Sequence, residues 1–259
     1  MLGWKRARRV VLLLTVPLVL AACANDNGQN SLSPKGPNAK TISNLINPIW
    51  IIAIVIGIAV VGMTLFIALR FRDPHGKRSP KQTHGNTVLE VGWTLIPALI
   101  LAVMAVPTVA TIFDLAEKPV GKDVVNITVS GRQWWWQFTY DNGIVTANEI
   151  HIPVGVPVAL TLQGPPPCSG EACYDNGVNH SFWVPALNGK KDAAPGREHE
   201  LWMAADEPGR YLGQCTEFCG LSHGYMRMLV EAKSPAEFTS WVAGQQTKAA
   251  VPKAATAAR

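Results

Sequence analysis

Four side chains of metal-binding type lie within twelve residues near the end of the chain. Cys215 and Cys219 supply thiols, His223 supplies an imidazole and Met226 supplies a thioether. Thiolate and thioether are soft ligands and imidazole is borderline, so this mixture favours copper over hard cations such as magnesium or calcium. Zinc accepts Cys and His, but it rarely recruits Met, and its loops more often use Cys-x2-Cys than Cys-x3-Cys. The stretch therefore predicts a copper site.

Such a loop needs a further ligand from elsewhere in the fold, and His180 is the best candidate. It follows a β-rich stretch and precedes Pro185, as expected at the end of a strand beside a metal loop. The other histidines fall in a basic loop or have no ligand-type residues near them: His75, His84, His151 and His199. A single blue-copper site needs only one Cys, with two His and a weak Met, so two Cys allow a pair of bridged copper ions instead.

Two long apolar segments precede these residues. Residues 49–69 carry no charged side chain, and a second apolar run covers about residues 91–113. At about 1.5 Å per residue, about twenty residues span a hydrocarbon core of roughly 30 Å. The loop between them, 70–81, holds five Lys/Arg and one Asp, which predicts a cytoplasmic loop with both outer ends of the hairpin outside. We predict a two-helix transmembrane hairpin over residues 46–115.

After the hairpin the sequence pattern changes to β. Short alternating stretches such as 123–129 and 156–162 are separated by Gly and Pro. This spacing is typical of an antiparallel sandwich or barrel. The predicted all-β domain covers residues 118–245.

A short helix is predicted to close this domain over residues 234–245. Ser234 has the character of an N-cap, a Pro follows it, and Glu237 stands three residues on. The Ala/Lys-rich tail, 246–259, is expected to be disordered.

The first residues resemble a secretion signal. A basic segment precedes an apolar run that is too short to span a bilayer. The run ends in Leu-Ala-Ala-Cys23, which resembles a bacterial lipoprotein cleavage box and implies removal of residues 1–22 and a lipid on Cys23. An uncleaved anchor with an incidental Cys is the alternative. Residues 23–45, rich in Asn, Ser, Gly and Pro, are expected to form a flexible tether.

The remaining two cysteines, Cys168 and Cys173, lie in a Pro- and Gly-containing insertion upstream of His180. Outside the membrane, a disulfide that closes this small loop is favoured over a second metal site.

Charge is distributed unevenly along the chain, whose formal net charge is +5. Residues 1–117 hold eleven Lys/Arg and five Asp/Glu, whereas residues 118–245 hold nine Lys/Arg and thirteen Asp/Glu. The basic excess therefore belongs to the membrane segments and sets their orientation. The mildly acidic β-domain argues against a nucleic-acid partner and suits a basic protein partner.

Residues 215–226 have the pattern C-x-E-x-C-G-x-x-H-x-x-M. This pattern resembles the dinuclear copper (Cu-A) motif of cytochrome c oxidase subunit II, and every fixed position matches. The stretch from His180 to Arg197 resembles that family's first-ligand region, and residues 89–97 resemble the start of its second membrane helix. The resemblance covers about residues 40–245 and implies a cupredoxin-like domain.

The resemblance implies a dinuclear copper centre with six ligands. Cys215 and Cys219 would bridge the two ions as thiolates, and His180 and His223 would each supply an imidazole. Met226 would supply a thioether, and Glu217 would supply its backbone carbonyl. The carboxylate of Glu217 would help to bind a magnesium ion shared with subunit I. Two thiolates that share an electron over two metals, on a rigid β-scaffold, suit fast electron transfer.

Three consecutive tryptophans, residues 134–136, form the next feature. In a strand, Trp134 and Trp136 would share one face, and packing in the sandwich core accounts for at least one of the three. The family usually reads Gln-Trp-Tyr-Trp, and its first Trp is exposed and receives electrons from cytochrome c. Gln133-Trp134 matches, which implies that role for Trp134.

Glu90 is a carboxylate beside an apolar run on the cytoplasmic side. The resemblance implies that it lies at the mouth of a proton-uptake path into subunit I. A helix N-terminal charge favoured by the helix dipole is the alternative.

The resemblance thus implies a subunit of a bacterial plasma-membrane oxidase, with its copper domain on the extracytoplasmic side. Cytochrome c or an equivalent haem donor would reduce the copper pair, and haem in subunit I would receive the electron for oxygen reduction coupled to proton translocation. A quinol oxidase subunit II is one alternative, although that family generally lacks the copper ligands. A copper-binding lipoprotein for storage or delivery is another, although it needs no hairpin.

Overall fold

The computed structural model describes residues 28–73, 76, 79, 82, 84–121, 123–165 and 177–249. Within these residues the chain forms three α-helices and ten β-strands. The helices are α1 (Pro37–Arg70), α2 (Thr87–Ala116) and α3 (Pro235–Ala249). The strands are β1 (Val125–Arg132), β2 (Trp135–Tyr140), β3 (Val145–Ala147), β4 (Glu149–Pro153), β5 (Val158–Gln163), β6 (His180–Trp183), β7 (Lys191–Ala193), β8 (Glu198–Met203), β9 (Gly209–Cys215) and β10 (Arg227–Lys233). The predicted signal peptide, Cys23 and the Cys168/Cys173 pair lie outside the described residues.

The two long helices are apolar on all sides. Each contains an 18-residue window with no buried residue in the isolated chain, and both are long enough to cross a membrane. The Asn86 side chain accepts hydrogen bonds from the backbone N–H groups of Val88 and Leu89 at 3.1 and 3.3 Å and so starts α2. Exposure of so much apolar surface fits the predicted hairpin in lipid.

The tether prediction is wrong for residues 37–45, because α1 begins at Pro37. At about 1.5 Å per residue, a helix of 34 residues is longer than the hydrocarbon core. Its first turn packs on the β-domain: Asn38 and Ala39 are buried, and the Asn38 amide donates to the Trp202 carbonyl at 2.7 Å. The segment before α1 also contacts this domain, since the Lys35 N–H donates to the Ala186 carbonyl at 2.7 Å.

The β-domain consists of two five-stranded sheets, in the orders β3-β2-β1-β5-β8 and β4-β10-β9-β6-β7. Most neighbouring strands are antiparallel, as predicted, but the pairs β1/β5 and β4/β10 are parallel. Between the sheets, Phe182 meets Trp136 and Phe138 edge-on, with ring centroids 5.6 and 6.4 Å apart. All three are fully buried. This core holds β6 and β9, which carry metal-type residues, in one fixed arrangement.

The terminal helix α3 starts with the predicted capping box. The Ser234 N–H donates to Glu237 Oε2 at 3.0 Å, and the Glu237 N–H donates to Ser234 Oγ at 3.4 Å. The helix runs to Ala249, so the predicted disorder is wrong for residues 246–249, and residues 250–259 lie outside the described part. The Trp241 ring fixes α3 on the β-domain by packing 5.4 Å from the Tyr140 ring.

We expect Ser234→Ala to weaken α3 by about 1 kcal/mol, because the N-terminal N–H groups of the helix lose their side-chain acceptor. Amide hydrogen exchange within α3 should then be about fivefold faster. Ser240→Ala is the matched control, since Ser240 Oγ only donates back to the Ala236 carbonyl at 3.0 Å in the helix interior. Equal exchange rates in the two variants would count against the capping box.

Candidate metal centre

The metal-type loop joins the end of β9 to the start of β10. Its two ends are tied together, because the Cys215 N–H donates to the Met226 carbonyl at 2.9 Å. Inside the loop, Gly220 adopts a φ of 119°, a conformation that L side chains rarely adopt, and its carbonyl accepts from the His223 N–H at 3.1 Å. The following short 3-10 helix, His223–Tyr225, turns the imidazole back toward the cysteines.

Strand pairing supplies the histidine from outside the loop. β6 begins at His180, and Phe182 on the same strand pairs with Cys215 on β9. His180 is only 1% exposed, and its Nδ1 lies 3.8 Å from Cys215 Sγ. The structure therefore brings together the histidine and the loop that the sequence analysis had paired.

The donor atoms form two groups, one around each sulfur. Around Cys215 Sγ lie His180 Nδ1 and, at 3.2 Å, the backbone carbonyl oxygen of Glu217. Around Cys219 Sγ lie His223 Nδ1 at 3.6 Å and Met226 Sδ at 3.7 Å. The two sulfurs are 3.9 Å apart. All six predicted ligands thus converge, and Glu217 does so through its backbone, whereas the residue itself is exposed.

Burial disfavours the charged form of the Cys219 thiol. The pKa of Cys219 is raised to about 12, chiefly because burial disfavours a thiolate and further because Cys215 lies beside it. The Cys219 thiol is therefore neutral without a cation. Metal ions bind thiolates, so metal binding at this site must release protons.

The donor set fits a pair of copper ions. A zinc–thiolate bond, used as a guide to metal–thiolate bonds, is about 2.3 Å long. Two sulfurs can therefore bind the same ion when the distance between them is less than about 4.6 Å. The Cys215–Cys219 spacing of 3.9 Å meets this condition. The two imidazoles, the thioether and the backbone carbonyl around the sulfurs would supply terminal donors to a pair of ions. Sulfur-rich sets with imidazole are the ligands that copper prefers.

Trp134 lies in a turn, not in a strand as expected. Arg132 pairs with Trp135 across β1 and β2, so Gln133 and Trp134 form the two-residue connection. Trp134 is half-buried rather than exposed, and its indole N–H donates to the Cys219 carbonyl at 3.1 Å. The Gln133 side chain donates to the same carbonyl at 2.7 Å. Both side chains therefore hold the backbone of a predicted copper ligand.

Trp136 and Gly131 complete the surroundings of His180. Trp136 is fully buried and meets the His180 ring edge-on at a centroid distance of 6.0 Å, which confirms the predicted core role for one tryptophan. A Cβ at Gly131 would approach three atoms of the His180 side chain to 2.9 Å. The sequence analysis missed Gly131, although a glycine inside a strand often marks a close approach.

Glu90 lies in the first turn of α2, where an acidic side chain favours the helix dipole. Glu90 is exposed, at the end of the hairpin where α1 finishes and α2 starts. The other end of the hairpin lies at the β-domain, because the first turn of α1 packs there. Glu90 therefore lies at one end of the hairpin, and the β-domain with the metal-type loop lies at the other.

Known proteins match this chain in both the membrane hairpin and the β-domain. The family model of the cytochrome C oxidase subunit II periplasmic domain matches residues 172–233, and the model of the transmembrane domain of the same subunit matches residues 24–111. A cytochrome c oxidase subunit 2 of Alkalihalophilus pseudofirmus is 38% identical over 96% of this chain and 71% of its own length. A quinol oxidase subunit 2 of Bacillus cereus is 34% identical over 92% of this chain and 79% of its own length.

Among solved structures, the periplasmic domain of subunit II of cytochrome oxidase from Bradyrhizobium japonicum aligns with a TM-score of 0.44 and 28% identity, over 51% of this chain and 99% of that one. The matches of both family models and the identity over nearly the whole chain agree with the apolar hairpin and the β-domain described above. The chain therefore belongs to the cytochrome c oxidase subunit II family, as a membrane protein with an extracytoplasmic copper-type domain.

Proposed function

We propose that this subunit holds two copper ions and receives electrons from cytochrome c, which it passes to haem in subunit I of its haem–copper oxidase. The observation that carries the proposal is the division of the donors into two groups around Cys215 and Cys219. A pair of copper ions bound there would accept and release one electron at a time. Oxygen reduction and the proton translocation coupled to it belong to the rest of the complex.

Residues of this chain hold that centre rigid and dry. His180, Cys215, Cys219 and Met226 are all at most 3% exposed, so water is excluded from most of the ligand set. β6 and β9 fix His180 relative to Cys215 through backbone pairing. A rigid, water-free site changes little when its charge changes, and electron transfer benefits from that.

The outer surface of the loop suits a protein partner. Phe218, Leu221 and Tyr225 are 76%, 97% and 84% exposed. Apolar side chains grouped on a surface mark interaction sites. This apolar surface supports docking of the copper domain in the assembled oxidase.

The family includes relatives named for quinol as well as for cytochrome c. Quinol oxidase subunits generally lack the copper ligands, whereas this chain brings the complete set together, which supports a haem-protein donor. Membership of an oxidase family and the two membrane helices weigh against a copper-storage lipoprotein.

Copper content and EPR of the full chain in detergent test the proposal. We expect two copper ions per chain and a spectrum in which one unpaired electron is shared by both. The assembled oxidase should turn over with reduced cytochrome c and not with quinol. One copper per chain, bound zinc, or turnover with quinol alone would contradict the proposal.

We expect Trp134→Phe to slow reduction of the copper centre by cytochrome c severalfold while both copper ions stay bound. The indole bridges the half-exposed surface and the Cys219 carbonyl, and Phe removes that hydrogen bond. Trp135→Phe is the matched control, because the Trp135 ring packs under Arg132, whereas the indole that donates to the Cys219 carbonyl is that of Trp134. Stopped-flow reduction separates the two variants, and equal rates would exclude Trp134 as the first electron acceptor.

Four further roles predicted from the sequence remain proposals, the first two of them implied by the family resemblance. The Glu217 carboxylate, which is exposed, would help to bind a magnesium ion shared with subunit I, and Glu90, in the first turn of α2, would lie at the mouth of a proton-uptake path. Lipidation of Cys23 and a Cys168–Cys173 disulfide concern residues outside the described part of the chain.

A further inference from the structure

A second group of side chains of metal-binding type lies in the β-domain, away from the metal-type loop. Glu149 and His151 stand two residues apart on β4, and Glu231 on β10 pairs with His151 in the parallel ladder. One ligand atom from each of the three lies within 4.8 Å of the others. The sequence analysis found no ligand-type residues near His151, and the pairing of β4 with β10 contradicts that.

The imidazole of His151 is buried and points into this group. His151 is only 8% exposed, and its Nδ1 is buried and makes no hydrogen bond of good geometry within the described part of the chain. That nitrogen faces Glu231 Oε2 at 3.3 Å. Burial lowers the pKa of His151, which favours the neutral imidazole that metal ions bind.

The surroundings fix the orientation of the ring. The Trp241 ring of α3 covers it, with centroids 4.3 Å apart and planes at 31°. The Tyr140 hydroxyl donates to the His151 carbonyl at 2.9 Å and accepts from the His151 N–H at 2.8 Å. A ligand whose ring and backbone are both held loses little freedom when it binds a cation.

We propose that Glu149, His151 and Glu231 form a divalent-cation site for Zn²⁺, separate from the copper centre. One imidazole and two carboxylates are an N/O set that zinc accepts, with water as a fourth ligand. Ligand atoms around tetrahedral zinc are about 3.3 Å apart for bonds of about 2.0 Å. The His151–Glu231 spacing already meets this value, and the half-buried carboxylate of Glu149 closes on the ion by side-chain rotation.

Lys233 would compete with a bound cation for the Glu231 carboxylate. Its Nζ donates to Glu231 Oε2 at 2.8 Å, and Arg210 Nε lies 3.7 Å from the other oxygen. These two cations lower the pKa of Glu231, with the Lys233 hydrogen bond as the largest cause. Zinc must displace the Lys233 ammonium from Oε2, so the lysine sets the affinity of the site by competition.

A cation bound here would join three elements. It would bridge β4 and β10 directly, and it would hold the His151 ring against Trp241 of α3. The site would therefore stabilise the docking of the C-terminal helix when zinc is present on the extracytoplasmic side.

The test uses the full chain in detergent with both loop cysteines replaced, Cys215→Ser and Cys219→Ser, and titrates it with Zn²⁺ in a calorimeter. Because the bridging thiols are absent, the result does not depend on what the loop binds. Glu149→Gln and His151→Ala should each weaken zinc binding about 10-fold or more. Lys233→Gln should strengthen it.

His199→Ala is the matched control, since the half-buried His199 lies on β8 in the other sheet, with its Nδ1 2.8 Å from the Asp192 carbonyl oxygen. It should leave zinc affinity unchanged. Glu149→Gln removes a half-buried surface carboxylate and keeps the shape of the side chain, so it tests the site even if His151→Ala disturbs packing under Trp241. Zinc affinities equal to the control in Glu149→Gln, or no measurable zinc binding in the parent, would overturn the proposal.

Discussion

Replacing Cys219 by serine is expected to abolish the shared-electron EPR signal of the copper pair. It should lower the rate of cytochrome c oxidation by the assembled oxidase by more than about 100-fold. Removing a residue that only hydrogen-bonds to a metal ligand already costs about 10–100-fold, and Cys219 is a predicted ligand itself. Cys219 Sγ lies within 3.9 Å of donor atoms from three residues: Cys215, His223 and Met226. A serine hydroxyl is a hard donor that copper disfavours, so His223 and Met226 lose the sulfur around which they lie.

Ser222→Ala is the matched control for this substitution. Ser222 belongs to the same loop, and its side chain makes no capping hydrogen bond to the 3-10 helix that follows. We expect this variant to keep both copper ions and normal turnover. If Cys219→Ser retained the signal and the rate of the control, the two-ion arrangement would have to be abandoned.

Gly131→Ala is the second substitution with a large expected effect. The added methyl would lie 2.9 Å from the Cβ, Cγ and Cδ2 atoms of His180. Because His180 is 1% exposed and packs against Trp136, it has no free space to enter. We expect a loss of about 1–3 kcal/mol in folding stability from overpacking. Displacement of the imidazole from Cys215 should also weaken copper binding roughly 10–100-fold.

Gly224→Ala separates this effect from the general effect of replacing a glycine. A Cβ at Gly224 would meet no atom within 4 Å, although the residue lies inside the metal-type loop. Thermal unfolding and competitive copper titration of the two full-length variants give both quantities. Similar stability and similar copper affinity in the two would show that Gly131 does not position His180.

Several features could be predicted from local sequence, because their physics is local. The soft-donor loop is contained in residues 215–226, so its ligand types and spacing were readable directly. The hairpin followed from two long apolar runs, and the start of α3 followed from a capping box that spans four residues, Ser234 to Glu237. In each case the groups that interact are close together along the chain.

Other features depended on contacts between distant strands. The β6–β9 pairing sets the distance between His180 and Cys215, and the β1–β2 register places Trp134 in the turn against Cys219 rather than in a strand. The buried first turn of α1 turned part of the expected tether into a helix docked on the β-domain.

Residue types and their local order therefore specified the candidate ligands, the membrane spans and the helix cap. Only the packing of two sheets decided which side chains face each other, as with His151 and Glu231, which meet through a parallel ladder. The physical reason is that strand register and sheet order depend on the burial of a shared core, to which residues far apart in the chain contribute together.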